Sequence, residues 1–277
     1  MEIGIVGLGL IGGSLAKAFK FSEKAKVYAL DKNKSIIEIA KMSDFIDDDL
    51  TEKIGDCDFI FIAVDANSTV EFVKENANKF KKSAIVVDCC GVKNYVCEKC
   101  FEIAKESGFT FIGGHPMAGT QYSGLKYSKP DMFKGANMVL VPKHGEDMMK
   151  LQALKDVLKI AGFTSVSITT ADKHDEIIAF TSQLAHVVSN AYVKSPSAKV
   201  HKGFSAGSYK DLTRVAWLNE DMWANLFLQN AKNISFEIEN LINELTKYNK
   251  AIKEGDFNGL KTLLKEGREC KESCDKE

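Results

Sequence analysis

Arginine is scarce in this chain, since only two of its 37 basic side chains are arginine, Arg214 and Arg268. Basic and acidic residues nearly balance, 37 against 38, so the formal net charge is −1. This balance argues against nucleic acid or another polyanion as the main partner. The sequence has no apolar run of about 18 residues, so we expect no transmembrane helix. With 277 residues, 45% of them hydrophobic, the composition fits a globular protein of one large or two modest domains.

The N-terminus lacks a basic leader region and a small-residue cleavage site, so we expect a mature cytoplasmic protein. Seven cysteines occur, an odd number that favours reduced thiols over a disulfide framework. Four of them cluster in "DCCGVKNYVCEKC", where Cys97 and Cys100 have a spacing that fits a metal turn or one face of a helix. Cys89 and Cys90 are adjacent at a strand end, so only one of them can point to each side. We therefore predict no metal site.

Short β-like runs alternate with helical runs in the first half of the chain, a pattern typical of a parallel sheet with crossover helices. The predicted strands are 2–6, 26–30, 58–64, 84–88, 109–113, 137–141 and 165–168. The predicted helices between them are 12–20, 67–79, 93–106 and 146–161. After about residue 170 only helical periodicity remains, in 172–194, 211–246 and 256–267. We therefore predict an α/β domain with a doubly wound, mainly parallel sheet over 1–169, then an all-helical domain over 170–277 with a fraying charged tail.

The segment "GIVGLGLIGGS" has the G-x-G-x-x-G spacing of a dinucleotide-binding turn, formed by Gly7, Gly9 and Gly12. A strand precedes it, a helix follows it, and Asp31 ends the second predicted strand, which is the context this motif requires. Phosphates are expected on the free N–H groups of the helix start, around Leu10 and Ile11. The alternative is a tight turn without a ligand.

Asp31 favours NAD over NADP, because a carboxylate accepts hydrogen bonds from ribose hydroxyls and repels a 2′-phosphate. Lys32 follows it and softens that repulsion, but no arginine is nearby. These features predict a Rossmann-type domain that binds NAD.

His115 lies in "FIGGHPMAGT", directly after an apolar strand. Open α/β sheets bind ligands at the carboxyl ends of their strands, so this histidine is a candidate for acid–base chemistry. We expect Gly113 and Gly114 to let the backbone approach cofactor and substrate. Pro116 restricts His115 to extended backbone conformations. The alternative is a histidine that only fills a place in the core or on the surface.

Arg214 stands in "GSYKDLTRVAWLNEDMW", within a predicted helix. In so lysine-rich a sequence, an arginine suggests a task that lysine does poorly, such as bidentate binding of a carboxylate. The alternative is a surface ion pair with a helix neighbour such as Asp211. Arg268 lies in the charged tail, where we expect it to be solvated.

The segments "GLGLIGGS", "DCCGVK", "GGHPMAGTQYSG", "SQLAH" and "KDLTRVAW" follow one another along most of the chain. Together they resemble the prephenate/arogenate dehydrogenase family of tyrosine biosynthesis. The most specific part is the His-Pro-Met-Ala-Gly-Thr element with its downstream "SGLKYSKPDMF". The resemblance implies oxidation of prephenate with NAD(P), with release of CO2 and formation of 4-hydroxyphenylpyruvate.

The resemblance also implies roles for individual side chains. His115 matches the base that takes the substrate's hydroxyl proton, and a neutral imidazole suits that step. Arg214 would bind the ring carboxylate, with His186 of "SQLAH" beside it. Lys210 and the backbone around Gly207 match positions that hold the pyruvyl side chain, in the same or a neighbouring subunit.

Trp223 matches an aromatic position that lines the pocket, with plain core packing as the alternative. The sequence departs from the family pattern at Gly91, where relatives often carry a serine that bonds the catalytic histidine. We therefore expect a water, Thr120 or Cys90 to orient His115 instead. At Gln121 relatives often carry an acidic side chain, which would pair with the ammonium of arogenate, so a neutral glutamine favours prephenate.

Family membership further implies a homodimer formed through the helical domain. The chain has no room for a fused chorismate mutase or regulatory domain, so we expect a monofunctional enzyme. Three alternatives stay open: an arogenate (cyclohexadienyl) dehydrogenase, a non-catalytic NAD-binding sensor of the same fold, and another dehydrogenase with the same two-part plan. The last type uses a lysine or hydroxyl on its helical domain and lacks the His-Pro-Met-Ala-Gly turn.

Overall fold

A computed structural model describes residues 1–120 and 122–276 of the chain. Residues up to 168 build one eight-stranded sheet with the spatial order β3-β2-β1-β4-β5-β6-β7-β8. The strands are β1 (Glu2–Val6), β2 (Lys26–Leu30), β3 (Asp48–Asp49), β4 (Phe59–Ile62), β5 (Ile85–Asp88), β6 (Thr110–Pro116), β7 (Asn137–Pro142) and β8 (Ser165–Ile168).

Neighbouring strands run parallel from β3 to β6, whereas β7 pairs antiparallel to β6 and β8 runs parallel to β7. The strand order reverses direction at β1, so the sheet is doubly wound. The predicted fold class, a mainly parallel Rossmann-type sheet followed by helices, is confirmed. The antiparallel step was not predicted, although the connection between β6 and β7 lacks the crossover helix that a parallel step usually has.

Helices cover both faces of this sheet. They are α1 (Leu10–Phe21), α2 (Lys34–Met42), α3 (Ala66–Asn76), α4 (Asn94–Ser107) and α5 (Met148–Ile160). Apolar residues of α1, α2 and α5 pack in one buried cluster, and those of α3 and α4 pack in a second cluster. The strand β4 contributes Phe61 to the first cluster and Ile60 and Ile62 to the second. Its all-apolar sequence therefore follows from burial on both faces.

Between residues 171 and 276 the structure contains helices and no strand. They are α6 (Ala171–Ile178), α7 (Ala185–Tyr192), α8 (Gly207–Thr213), α9 (Glu220–Gln229), α10 (Ala231–Glu254) and α11 (Phe257–Cys274). A π-helical segment, Ala179–Leu184, joins α6 to α7. Within the described residues, no helix is both long and apolar enough to cross a membrane.

Three local predictions were wrong. The helix predicted over 211–246 is three helices, because Asn219 caps a new helix by accepting a hydrogen bond from the N–H of Met222 at 2.9 Å. The charged tail does not fray but continues α11 as far as Cys274. The helix α2 was not predicted, although its apolar residues recur at helical spacing. The short strand β3 was not predicted because it consists of two aspartates.

Candidate active site

The turn after β1 depends on glycine at two positions. Gly7 has a φ of +85°, a conformation that side chains rarely adopt. Its N–H donates to the carbonyl of Leu30 at 2.7 Å, which ties the turn to the end of β2. A Cβ on Gly12 would lie 1.8 Å from the carbonyl oxygen of Gly7. The glycine spacing therefore serves the close packing of α1 on the sheet.

Gly9 serves a different purpose, because a Cβ placed there would meet no protein atom within 4 Å. It occupies the N-cap position of α1, and no side chain caps the helix there. The N–H groups of the first turn, around Leu10 and Ile11, thus face the open space beside Gly9. Free N–H groups and the helix dipole favour a phosphate at this place. This open cradle fits the pyrophosphate of a dinucleotide.

Asp31 follows β2 and lies beside the same turn. Its Oδ2 accepts a hydrogen bond from the N–H of Leu8 at 2.8 Å, and its Oδ1 accepts one from the N–H of Asn33 at 2.9 Å. These bonds hold the carboxylate against the glycine turn, at the carboxyl ends of the two central strands. A ribose bound over the turn would therefore meet an oriented acceptor.

His115 lies on β6, opposite Val139 of β7. The backbone beside it is clamped from below: the N–H of Gly114 donates to Asp88 at 3.1 Å, and Lys93 donates to the carbonyl of Gly114 at 2.6 Å. Asp88 and Lys93 also pair directly with each other, and both side chains are fully buried. Burial alone lowers the pKa of Lys93, but the Asp88 carboxylate outweighs it, and the pKa is raised. A buried ion pair thus fixes the strand end that carries His115.

Gly113 and Gly114 serve this packing and not a ligand. A Cβ on Gly113 would lie 2.5 Å from Sγ of Cys97, and one on Gly114 would lie 2.4 Å from the carbonyl oxygen of Asp88. The expectation that they admit cofactor and substrate was wrong, because protein atoms fill the space beside both. Cys97 and Cys100 are buried side chains of α4. Among residues 1–120 and 122–276, no group of His, Cys, Asp or Glu is placed to hold a metal ion.

The imidazole of His115 contacts a second histidine from the helical half. Its Nδ1 lies 2.8 Å from Nε2 of His174, and Nδ1 of His174 lies 2.7 Å from Oδ1 of Asp175. His174 and Asp175 are both buried. Sequence reasoning missed this pair. The sequence did carry a signal, because His174 and Asp175 are adjacent near the start of the predicted helix 172–194. Both of these polar residues are buried on α6.

The expected partners of His115 lie elsewhere. Sγ of Cys90 contacts Oγ1 of Thr69 at 3.4 Å, and Oγ1 of Thr120 accepts a hydrogen bond from the N–H of Tyr122 at 3.2 Å. At Gly91, a Cβ would meet Leu226 at 3.3 Å. The prediction that Cys90 or Thr120 orients His115 was therefore wrong, and His174 occupies that position.

The surroundings of His115 favour its neutral form. Burial, followed by the neighbouring His174 and Lys93, holds its pKa well below the usual value of 6.5. An imidazole in this setting is uncharged near neutral pH, and it can accept a proton without first losing one.

A cavity of about 760 Å³ opens beside His115. It brings together four residues singled out in the sequence, which are His115, His186, Arg214 and Trp223. The other walls come from the turn after β6, from Ser182 and from the segment between α8 and α9. In the described part of the chain, none of the residues that line this cavity is acidic. The cavity therefore suits an anionic ligand.

His186 lies on α7 and is oriented from behind. Its Nδ1 donates to the carbonyl of Ser182 at 2.8 Å, since a carbonyl can only accept. Its ring stacks on Trp223 with centroids 4.0 Å apart. Burial lowers the pKa of His186, the bond to Ser182 opposes this, and the charge of Arg214 lowers it further. Trp223 is thus a wall of the cavity that positions a histidine.

Arg214 caps the C-terminal end of α8 and is exposed. No carboxylate in residues 1–120 or 122–276 lies within 4.0 Å of its guanidinium, so the alternative of an ion pair with Asp211 is not formed. Arg268, in contrast, lies 3.4 Å from Glu272 on α11. Arg214 therefore presents an uncommitted bidentate donor to the cavity.

Two of the residues predicted to bind substrate lie outside the cavity beside His115. Gly207 and Lys210 are exposed on α8, and neither borders the cavity beside His115. Gln121 lies outside the described residues.

Both halves of the chain match a known protein family. Residues 15–167 match the nucleotide-binding domain of prephenate dehydrogenase, and residues 170–266 match its dimerization domain. A prephenate dehydrogenase of Lactococcus lactis is 27% identical over 99% of this chain and 77% of its own length.

Solved structures that resemble the whole chain include two with a named activity. The A. aeolicus prephenate dehydrogenase, crystallised with hydroxyphenyl propionate and NAD+, is 29% identical, with a TM-score of 0.86 over 99% of this chain and 98% of its own. A Synechocystis arogenate dehydrogenase is 25% identical, with a TM-score of 0.82 over 99% of both chains. Because one family's two domain models match consecutive halves of the sequence, the chain belongs to the prephenate dehydrogenase family.

Proposed function

We propose that this protein oxidises prephenate with NAD, releasing CO2 and forming 4-hydroxyphenylpyruvate in tyrosine biosynthesis. The observation that carries the proposal is that His115 and Arg214 line one cavity whose described walls include no acidic side chain. A base and an uncommitted guanidinium are the two groups that a carboxylated cyclohexadienol requires. We place the boundary between the nucleotide half and the helical half at residues 169 and 170.

His115 acts as the general base in this proposal. Its neutral imidazole accepts the proton of the ring hydroxyl while hydride leaves the carbon that bears it. Bound NAD supplies the acceptor for that hydride. Loss of the ring carboxylate as CO2 then produces the aromatic ring, which makes the reaction effectively irreversible.

Arg214 binds the ring carboxylate through its planar fork, and His186 stands beside it. Trp223 holds His186 by stacking and closes one wall of the cavity. Lys210 and the backbone of Gly207 bind the pyruvyl side chain. Because both are exposed on α8 and lie outside the cavity of their own chain, we propose that they reach the site of a partner subunit.

The homodimer in this proposal forms through the helical half, which matches the family's dimerization domain. Large apolar side chains are exposed there, among them Phe204 at 93% and Trp217 at 82%. Such exposure is typical of a surface that another chain covers. Light scattering should give a dimer mass at micromolar concentration, and a monomer mass would contradict the proposal.

NAD is the proposed cofactor. Gly7, Gly9 and Gly12 form the turn, the N–H groups around Leu10 and Ile11 face the pyrophosphate, and Asp31 accepts from the ribose. Asp31 is already oriented by two backbone N–H groups, so a 2′-phosphate would meet a fixed negative charge. A preference for NADP of about tenfold or more in kcat/KM would contradict this assignment.

We propose prephenate and not arogenate as the substrate. Arogenate carries an ammonium group, and the described walls of the cavity offer it no carboxylate. The neutral Gln121 adds to this argument from the sequence alone. Arogenate remains the alternative substrate, because an arogenate dehydrogenase of Synechocystis has a similar structure. Comparison of kcat/KM for the two substrates decides between them, and a preference for arogenate would refute the proposal.

The decisive experiment mixes the protein with NAD and prephenate and follows the absorbance of NADH. We expect NADH to form with prephenate. A protein that binds NAD but oxidises neither prephenate nor arogenate would be a sensor and not an enzyme. All seven cysteines are free thiols, which supports the reducing cytoplasm as the compartment of the reaction.

A further inference from the structure

Asp175 is a buried carboxylate held by three donors. Its Oδ1 accepts from the N–H of Lys93 at 2.7 Å and from Nδ1 of His174 at 2.7 Å. Its Oδ2 accepts from the N–H of Asn94 at 2.9 Å. Lys93 and Asn94 are the N-cap and first residue of α4, where the helix dipole also favours negative charge. Asp175 is therefore an ionised acceptor, and Nδ1 of His174 carries a proton.

This proton determines which of Nε2 of His174 and Nδ1 of His115 carries a hydrogen. With its proton on Nδ1, a neutral His174 has a lone pair on Nε2. Nδ1 of His115 lies 2.8 Å from that lone pair, so it donates. A neutral His115 then has its own lone pair on Nε2, the nitrogen that remains for the cavity.

We propose that Asp175 and His174 are positioning residues that hold His115 in the one tautomer able to act as a base. The proposal rests on the function proposed above, and it extends it by assigning the fate of the proton. The substrate hydroxyl proton binds Nε2 of His115 as hydride leaves for NAD. The Nδ1 proton of His115 then passes to Nε2 of His174. The positive charge thereby moves to the imidazolium that lies against the Asp175 carboxylate.

The charges around the two rings favour this direction of transfer. Burial, followed by the neighbouring His174 and by the ammonium of Lys93, which bonds the carbonyl of Gly114 at 2.6 Å, holds the pKa of His115 well below its usual value. His174 instead has Asp175 at 2.7 Å. When loss of CO2 leaves a phenolate, the proton on Nε2 of His115 passes to the phenolate oxygen, and the relayed proton returns from Nε2 of His174 to Nδ1 of His115, so the cycle balances.

Two substitutions of His174 separate orientation from proton acceptance. His174→Gln keeps an acceptor oxygen for His115 and an N–H donor for Asp175, but it cannot take a proton. His174→Phe keeps a flat ring and removes both groups. His144→Gln is the matched control, because His144 is exposed in the loop after β7 and does not line the cavity beside His115.

The first readout is the tautomer, measured by nitrogen NMR on histidine-labelled protein without substrate. The chain has five histidines, so the signals can be assigned by substitution. We expect His115 to be protonated on Nδ1 in the wild type and in His174→Gln, and to shift toward Nε2 in His174→Phe. A wild-type His115 that carries its proton on Nε2 would overturn the proposal.

The second readout is the split between kcat and KM for prephenate. We expect His174→Phe to lower kcat by about 100-fold or more, with KM little changed. His174→Gln should fall between the Phe variant and the wild type, and His144→Gln should equal the wild type. A kcat of His174→Phe near that of the wild type would overturn the proposal, as would an equal loss in His144→Gln.

The two readouts keep this proposal separate from the proposed function. The tautomer of His115 is measured on the free protein. This measurement therefore tests the proposed orientation of His115 even if prephenate is not the substrate. If His174→Phe does not fold, the tautomer of His115 in the wild type and in His174→Gln still decides the question.

Discussion

Nδ1 of His115 lies 2.8 Å from Nε2 of His174, across the junction between the sheet and the helical half. His115 belongs to β6, and His174 belongs to α6, the first helix after the sheet. The candidate base is therefore oriented by the other half of the molecule. Asp175 strengthens this junction because it also accepts from the backbone at the start of α4.

The two arginines form a matched pair for mutation. Arg214→Lys keeps the charge but loses the planar fork, so we expect KM for prephenate to rise by about tenfold or more. Arg268→Lys changes an exposed arginine that pairs with Glu272 on α11, and we expect no effect on kinetics. Steady-state kinetics of both variants check this. Equal KM values would show that the guanidinium of Arg214 does not bind substrate.

The pH dependence of kcat/KM should follow His115. Because its pKa lies well below 6.5 in the folded protein, the base is neutral at pH 7. Activity should be constant around neutral pH and should fall as the pH drops through this lowered pKa. Stability should change in the same direction, since the unfolded chain binds a proton below about 6.5 that the folded protein resists. An acidic limb centred above pH 7 would contradict this assignment.

The glycine turn offers two substitutions with opposite signatures. Gly9→Ala adds a Cβ that meets no protein atom within 4 Å, so Tm should stay unchanged while NAD binds more weakly. Gly12→Ala adds a Cβ at 1.8 Å from the carbonyl of Gly7, so Tm itself should fall. Thermal melts and NAD titrations distinguish the two. Unchanged NAD affinity in Gly9→Ala would place the pyrophosphate elsewhere.

The buried pair of Asp88 and Lys93 should dominate stability near the site. Lys93→Met leaves the Asp88 carboxylate uncompensated, which should cost about 3–5 kcal/mol in the free energy of unfolding. Adding Asp88→Asn should recover part of this loss, because the amide oxygen still accepts from the backbone. Urea denaturation of the single and double variants measures both effects. A double variant less stable than Lys93→Met would contradict this account.

Much of the fold could be predicted from the sequence because its signals are local. All-apolar strands such as β4, the glycine turn and the strand–helix alternation report burial and backbone geometry at a few adjacent residues. The antiparallel strand β7 and the breaks within 211–246 could not be predicted in this way. The direction of β7 depends on the path of the connection from β6. The break before α9 depends on a single capping side chain, Asn219.

The site also combines residues that have a local sequence signal with a contact that has none. His115 stands out because it follows an apolar run typical of a strand. Arg214 stands out because arginine is rare in this chain. The link between His115 and His174 joins residues 59 positions apart, and no spacing rule connects them. The expectation that Gly113 and Gly114 face a ligand failed for a related reason. Two adjacent glycines indicate that other atoms lie close to the backbone. They do not indicate whether those atoms belong to a ligand or to the protein.

Glycine suffices at position 91 because His174 already contacts the imidazole of His115. A serine is not needed there when Nδ1 of His115 already has His174 as its partner. The space beside Gly91 is instead bordered by Leu226, 3.3 Å from the position of a Cβ.

The most direct test of the central claim is the single-turnover oxidation of prephenate by His115→Asn, followed through NADH formation. Asparagine keeps hydrogen bonding but cannot act as a base. We predict that the rate falls by about two to four orders of magnitude, while the Kd for prephenate stays close to that of the wild type. A near-normal rate would contradict the assignment of His115 as the base.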